Sequence, residues 1–344
     1  LDMLLTTGEQ ISIALMAMAI HAAGHEAISL TASQLGLLSD SAHTKARIQA
    51  ISRDRLETEL SAGRVVIVAG FQGIDTRGEI TTLGRGASDT TAAALAAVLG
   101  AEVCEIYTDV DGIYTTDPRI VPTARKIDRI SYDEMLEMAA AGAGVMHSRA
   151  IEFGKKFSVP IHVRSSLTDN TGTMIMAEAG GLEGIAVRGV TIKDDLAMVE
   201  LTAVPNTSGV AARIFAELAR NNIPVHDIVQ NIYDNGSIAN IGFSVSGSDL
   251  KETQLLCDRL KAEIGFKEYE VDKDVAKVSV VGVGMRTHTG VAAAMFEALS
   301  RAQINIENIS TSEIVISCIV RSEDGPRALR VVHEAFGLGG ERAA

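Results

Sequence analysis

Apolar positions over the first 178 residues fall into short β-branched runs that alternate with longer stretches rich in alanine, leucine and methionine. "RVVIVAG" at 64–70 is a continuous apolar run closed by glycine, the pattern of a buried strand. "SDTTAAALAAVLG" at 88–100 predicts a helix with Ser88 or Asp89 as its N-cap and Gly100 as its stop. "EVCEIYTD" at 102–109 and "VPIHVRSS" at 159–166 read as further strands, and Ser131 with Glu134 has the spacing of a capping box that opens the helix "SYDEMLEMAAAGA". "IALMAMAI" at 13–20 is far shorter than the ~20 residues of a membrane span and predicts a buried helix. Strands alternating with helices in this way predict an α/β domain with a mainly parallel sheet covered on both faces.

The second half repeats itself. "VAARIFAELARNNIPVHDI" (210–228) and "VAAAMFEALSRAQINIENI" (291–309) share Val, Ala, Ala, Phe, Leu, Arg and two Ile at matching places. Each copy follows a glycine, Gly209 or Gly290, and a β-rich run. Strand, helix, strand, strand, helix, strand is the ferredoxin-like βαββαβ pattern, and two such units can pair their sheets edge to edge. The expected division is a first domain over 1–178, a linker over 179–190, and repeats over 191–270 and 271–344.

Charge narrows the set of partners. With 44 acidic against 31 basic side chains the net charge is −13, which opposes attraction to a phosphate backbone or an anionic membrane, so neither nucleic acid nor membrane is expected as a partner. Cys104, Cys257 and Cys318 lie far apart and match no metal-ligand spacing, which predicts reduced core thiols and a cytoplasmic protein. No basic stretch or cleavage site precedes the first apolar run. The chain opens on Leu1, and Thr6-Thr7-Gly8-Glu9 leads into a helix without a preceding strand, the pattern of an interior start.

Two segments carry chemistry. In "TLGRGASDTTAA" (82–93) a glycine-rich turn runs into a helix N-terminus, whose free N–H groups suit an anion, and Arg85 adds a planar fork matched to carboxylate or phosphate. The same residues also suit a plain tight turn with a solvated arginine. "YTDVDGIYTTDPR" (107–119) leaves a strand and crowds aspartates, threonines and tyrosines into thirteen residues. Carboxylates at a strand's C-terminal end can hold Mg²⁺ directly or through water, and that edge is where open α/β sheets bind ligands. A solvated turn is the alternative for this segment alone; both segments in one α/β domain favour a phosphate-handling site.

"TTLGRGASDTTA", "EVCEIYTDVDGIYTTDPRIVP", "ISYDEMLEMA" and "VPIHVRSS", in this order and followed by paired repeats, resemble the aspartate kinases over nearly the whole chain. The resemblance implies an amino acid kinase-like three-layer α/β/α domain followed by tandem ACT domains. It implies ATP- and Mg²⁺-dependent phosphorylation of the β-carboxylate of L-aspartate, the entry to lysine, threonine, methionine and diaminopimelate synthesis. Feedback by lysine, threonine or both, and a homodimer or higher oligomer built through the ACT domains, follow from it too. Such a reaction needs no strong base, because the carboxylate nucleophile is already ionised near neutral pH; positioning and charge neutralisation dominate.

By the same resemblance Arg85 grips a substrate carboxylate, Glu9 takes the substrate ammonium group and Asp89 orders the pocket. Thr108, Asp109, Tyr114, Asp117 and Arg119 would meet the nucleotide and its phosphates, with Gly144, Val145 and Met146, beside His147 and Arg149, lining the nucleotide pocket. Asn206, Ser208, Gly209, Val210 and Ala211 would hold an effector together with Gln230 and Asn231. Read without the resemblance, Glu9 is a helix-start carboxylate favoured by the dipole, Tyr114 is packing and the repeats are dimerisation modules. Two departures stand out. The K-x-G-G-T-S-like loop, whose lysine meets the transferring phosphoryl group in this family, is not in the sequence, and the expectation is that a chain without it is inactive. The loop lysine of G-A-K-V-L is replaced by Gly144 in "GAGVMHSRA". A related acyl-phosphate kinase for another amino acid and a non-catalytic amino acid sensor are the alternatives.

Overall fold

The computed structural model describes residues 1–177, 186–233, 236–286 and 288–340. It divides into two compact units. The first holds Leu1–Ile113, Lys126–Ala140 and Gly144–Leu182; the second holds Tyr114–Arg125, Ala141–Ala143 and Glu183–Ala344.

The chain opens with α1 (Asp2–Leu5), α2 (Thr7–Ala22), β1 (Ala27–Leu30), α3 (Ala32–Leu35), β2 (Leu37–Ser39) and β3 (Ile48–Ile51). Next come α4 (Asp54–Ser61), β4 (Val65–Val68), β5 (Gln72–Ile74), β6 (Ile80–Thr82), α5 (Ser88–Leu99), β7 (Cys104–Thr108) and β8 (Ile113–Tyr114). The first unit closes with β9 (Lys126–Ile127), β10 (Arg129–Ser131), α6 (Tyr132–Ala140), α7 (Ser148–Phe157), β11 (Ile161–Ser165) and β12 (Thr173–Met176). Parallel pairs β1–β4, β2–β5, β7–β11 and β10–β12 stand beside antiparallel pairs β11–β12, β2–β3 and β5–β6. The mainly parallel α/β architecture expected from the alternating runs is present.

Local chemistry explains most element ends. Gly100 stops α5 at φ 64, in the left-handed region that glycine enters without strain. The capping box forms: Glu134 N donates to Ser131 Oγ at 3.2 Å and Ser131 N donates to Glu134 Oε2 at 3.2 Å. Two expectations need correcting. Ala87 is the N-cap of α5, with no side-chain cap, so Ser88 and Asp89 lie inside the first turn. The helix over 13–20 is mostly exposed: only Ile13 and Ala17 of α2 are buried, while Ile11, Leu15, Met16 and Met18 are open. The helical stretch Asp2–Ala22 is long and apolar enough, by length and composition, to cross a membrane. A run of apolar letters states what a helix could bury and leaves open what is there to cover it.

The second unit contains β13 (Gly189–Lys193), β14 (Ala197–Pro205), α8 (Val210–Arg220), β15 (Ile228–Tyr233), β16 (Ile238–Val245), α9 (Leu250–Ile264) and β17 (Glu268–Asp272). After them come β18 (Val275–Val281), α10 (Val291–Arg301), β19 (Asn308–Thr311), β20 (Val315–Arg321) and α11 (Gly325–Ala335). The first repeat is a complete βαββαβ unit with strand order β15-β16-β14-β17. The second has the order β13-β18-β20-β19, so its fourth strand is borrowed from before the first repeat, with Gly189 opposite Val281 and Lys193 opposite Lys277. This revises the expected boundaries: 189–193 is neither linker nor first repeat, and the first repeat sits inside the second. Residues 178–185 of the expected linker lie outside the described residues. Each sheet has its own core, around Phe243 and Leu218 in the first and Met295 and Val278 in the second.

The segment 114–125 is the other surprise. It continues the "TDVDGIYTTDPR" motif, yet Val121 belongs to the core of the second repeat and Thr115 accepts the Val190 N–H at 2.7 Å.

Candidate active site

At the end of β4 the chain turns through Gly70 and Phe71 against the start of α5. A Cβ on Gly70 would lie 3.0 Å from Ser88 Oγ and 3.3 Å from Ser88 Cα, so a larger residue would push strand end and helix start apart by a few tenths of an ångström. Phe71 takes φ 67, a costly conformation for a non-glycine residue, and is held there on both sides. Its N–H donates to Thr91 Oγ1 at 3.2 Å and its carbonyl accepts Leu83 N at 2.9 Å.

Leu83 leads into Gly84 (φ 100), Arg85 and Gly86 (φ 75). Arg85 is exposed and has no hydrogen bond or ion pair among the described residues. Asp89, half-buried in the first turn of α5, accepts His147 N at 3.5 Å, and a Cβ on Gly86 would lie 3.4 Å from His147 Cδ2. The structure thus brings the Gly84–Gly86 turn, Asp89 and the 144–149 loop together. Burial raises the Asp89 carboxyl above the ordinary range against the lowering pull of His147. Burial and Arg149 hold His147 below its ordinary value, so it caps α7 as a neutral ring, its Nδ1 accepting Arg149 N at 3.3 Å. Of the loop residues expected to line a nucleotide pocket, Met146 is buried, while Gly144 is exposed and a Cβ on it meets nothing within 4 Å. Arg149 is turned elsewhere: both its terminal nitrogens donate to backbone carbonyls of the first unit.

Glu9 lies in the first turn of α2, and its Oε2 is buried with no hydrogen-bond partner among the described residues. A carboxylate oxygen withdrawn from water without a donor is a costly arrangement and calls for a cation.

Thr108 and Asp109 close β7, where Thr108 Oγ1 donates to Asp109 Oδ1 at 3.0 Å and Thr108 O accepts Ser166 N at 2.8 Å. Tyr114, Asp117 and Arg119 fold with the second unit. There Arg119 forks onto Asp117, with Nη2 to Oδ2 at 2.7 Å, and that fork holds the Asp117 carboxyl below its usual range. Among the described residues no group of three or more His, Cys, Asp or Glu side chains forms a metal cage.

In the first repeat Gly209 (φ 93) starts α8, and Asn206 and Gln230 meet in front of it: Gln230 Nε2 donates to Asn206 Oδ1 at 3.2 Å. Asn206 Nδ2 donates to Gly236 O at 2.7 Å. Ser208, Gly209, Val210 and Ala211 form the helix start, and Asn231 follows Gln230 on β15.

Comparison with known proteins bears directly on this arrangement. Residues 1–165 match the amino acid kinase family and residues 278–336 match the ACT domain. The aspartate kinase of Pseudomonas fluorescens is 48% identical over 340 residues, covering 98% of this chain and 82% of that protein. This chain belongs to the aspartate kinases. The aspartokinase of Geobacillus stearothermophilus is 47% identical over the whole chain and 83% of that protein. Among solved structures, E. coli aspartokinase III in complex with aspartate and ADP superposes with a TM-score of 0.85 at 28% identity, over 97% of this chain and 75% of that one. The same enzyme in complex with lysine and aspartate gives 0.72. The aspartate kinase fold therefore accounts for both halves, and the chain is a phosphotransferase of that family.

Three features around the Gly84–Gly86 turn escaped sequence reading. Asp2 anchors β6 from the far end of the chain, and a lone acid before an apolar run gives no sign of that. Phe71 carries its strain in a backbone angle that its side chain does not advertise. Gln72, next to it, is 2% exposed with an unpartnered Nε2, and the only sequence signal was a polar residue between two glycines in "GFQG".

Proposed function

We propose that this chain carries the γ-phosphoryl group of ATP to the β-carboxylate of L-aspartate, with Arg85 holding a substrate carboxylate and Glu9 its ammonium group. The observation that carries this assignment is the buried, unpartnered Glu9 Oε2, which an ammonium group would satisfy. Asp2 ties the start of the same helical stretch to Thr82, three residues before Arg85, and Glu9 lies about two turns along. The substrate nucleophile arrives ionised, so the protein's task is to hold two anions together. Arg85 supplies positive charge without a competing partner, and Asp89, beside His147, fixes the far wall.

Thr108 at the end of β7 and Asp109 just after it suit the nucleotide. Mg²⁺ would arrive with the nucleotide, and a carboxylate such as Asp109 would help to hold it. When bound it would neutralise charge on the phosphates.

In the regulatory half, Asn206, Gln230 and the N–H groups of Ser208 to Ala211 present both polarities to a free amino acid at the start of an eleven-residue helix. Lysine or threonine is the effector we assign there, supported by the lysine complex of the E. coli relative. Oligomerisation through this half is supported by the edge strand β15, where Ile228, Ile232 and Tyr233 are exposed. We place the reaction in the cytoplasm, in keeping with three free, buried cysteines.

The test is ADP release from Mg-ATP with L-aspartate, L-glutamate or no acceptor, for the parent chain and for Arg85→Ala and Glu9→Gln. Aspartate-dependent release that both substitutions abolish supports the assignment. ATP binding with no acceptor-dependent release in the parent would overturn it in favour of a sensor.

A further inference from the structure

Arg149 and Asp2 lie at opposite ends of the first unit's sequence and converge on the same two strands of backbone. From α7, Arg149 Nη1 donates to Leu83 O at 2.7 Å and Nη2 to Ala46 O at 3.1 Å. From α1, Asp2 Oδ2 accepts Thr82 N at 2.9 Å and Thr44 N at 3.1 Å, with His43 Nδ1 at 3.0 Å. Ala46 N donates to Thr82 O at 3.0 Å and closes the set. A guanidinium only donates and a carboxylate only accepts, so the two charges satisfy complementary halves of the backbone in the segments 43–46 and 82–83. Its centre is buried, with Asp2 4% exposed, Thr82 and Leu83 1% and Ala46 0%, while His43 and Thr44 form an exposed rim.

Both clasps end immediately before Gly84, Arg85 and Gly86. Two glycines at positive φ leave this turn little stiffness of its own, so its direction is inherited from its ends. The downstream end is the first turn of α5. The upstream end is Leu83, held by Arg149 through its carbonyl and by Phe71 through its N–H.

We infer that Arg149 and Asp2 are positioning residues that aim the Arg85 turn at an amino acid carboxylate. This rests on the assignment of Arg85 to the substrate. Neither side chain meets the substrate; they act by fixing the backbone from which Arg85 projects. Arginine is required at 149 because its planar fork reaches two carbonyls at once, whereas lysine offers a point charge that serves one.

The experiment uses the full chain and the variants Arg149→Lys, Arg149→Ala and Asp2→Asn. It reads calorimetric affinity for L-aspartate and for ATP, together with amide hydrogen exchange. Aspartate affinity falls about tenfold in Arg149→Lys and further in Arg149→Ala, since a misaimed guanidinium weakens a charge-assisted hydrogen bond worth about tenfold to a hundredfold in affinity. ATP affinity stays within about twofold, because a positioning defect is confined to the turn it aims. Exchange quickens at 83–88 and stays unchanged in β7 and β11. Asp2→Asn moves the same two readouts in the same direction. Equal loss of both ligands in the folded Arg149→Lys variant, or unchanged exchange at 83–88, overturns the inference. If the parent chain binds no aspartate, the substrate assignment fails and exchange at 83–88 alone decides whether the clasp exists. Should Arg149→Ala not fold, Arg149→Lys carries the test.

Discussion

Thr115 and His333, 218 residues apart in sequence, are hydrogen-bonded at 2.9 Å in the buried core of the second repeat. Thr115 Oγ1 also donates to Leu338 O at 3.2 Å and accepts Arg125 N at 3.0 Å. With its one proton on Leu338 O, the threonine must receive from His333, which fixes the ring with its proton on Nε2. The segment that continues the "TDVDGIYTTDPR" motif is therefore built into the second unit. Thr115→Val removes the hydroxyl from two buried partners, His333 and Leu338 O, and from Arg125 N, and should destabilise that unit by about 1–3 kcal/mol, measured by urea denaturation followed on the second unit. A midpoint equal to the parent's would contradict this.

Burial and the neighbouring Arg125 hold His333 below its ordinary pKa, so the folded state prefers the neutral ring. The unfolded chain then binds more protons below its ordinary value of about 6.5, and stability is lost as pH falls from there toward the folded value. The parent should lose stability between pH 7 and 5 more steeply than His333→Gln, by at most about 1.4 kcal/mol per pH unit. Parallel stability curves for the two proteins over that range would count against it. His147 and His226 are also depressed and remain in both proteins, so the difference isolates His333.

Asp227 ties the two repeats together. It accepts Lys277 Nζ at 2.8 Å and Ser310 Oγ at 3.1 Å from the second repeat and Ser244 Oγ at 2.9 Å from its own. Burial pushes its carboxyl up, but these donors outweigh it and leave it below the usual value. Its contribution is present above an unfolded value near 3.9 and is lost as pH falls through the folded one. Asp227→Ala strands Lys277 and should cost about 2–4 kcal/mol at neutral pH. Because Asp227 immediately precedes β15, the same change should also alter the response to lysine or threonine. Unaltered denaturation and effector response together would show that the repeats are held by other contacts.

Gly144 stands where many aspartate kinases carry lysine, and its surroundings leave a Cβ free of contacts within 4 Å. Gly144→Lys should therefore fold with unchanged stability. A charge-assisted contact to a phosphate would tighten ATP binding about tenfold. Calorimetry on the variant with Mg-ATP checks both statements, and weaker binding or a lowered melting midpoint would refute them.

Much of this molecule could be read from its letters because the forces that set it are local. β4 and α5 appear where an apolar run ended at glycine and an alanine-rich run ended at Gly100. The Ser131–Glu134 box closed as spaced, and the twin helices α8 and α10 follow their twin sequences. Arg85 was legible as the exposed arginine of a glycine-flanked turn at a helix start, which is where the structure puts it. The backbone partners of Arg149 were not legible, because a letter does not say which carbonyls its fork will find. The exposed α2 and the N-cap at Ala87 were missed for a related reason: burial and capping depend on what arrives from elsewhere in the chain.

By itself, then, the sequence determined the family, the order of strands and helices, the internal repeat and the residue types of the site, all of which depend on short-range pattern. Only the tertiary structure decided that β13 completes the sheet of the second repeat, that 114–125 belongs to that same core, and that Asp2 and Arg149 meet on one pair of backbone segments. Sheet membership and buried polar pairing are settled by which partner satisfies each N–H and C=O away from water, and those partners lie tens to hundreds of residues away.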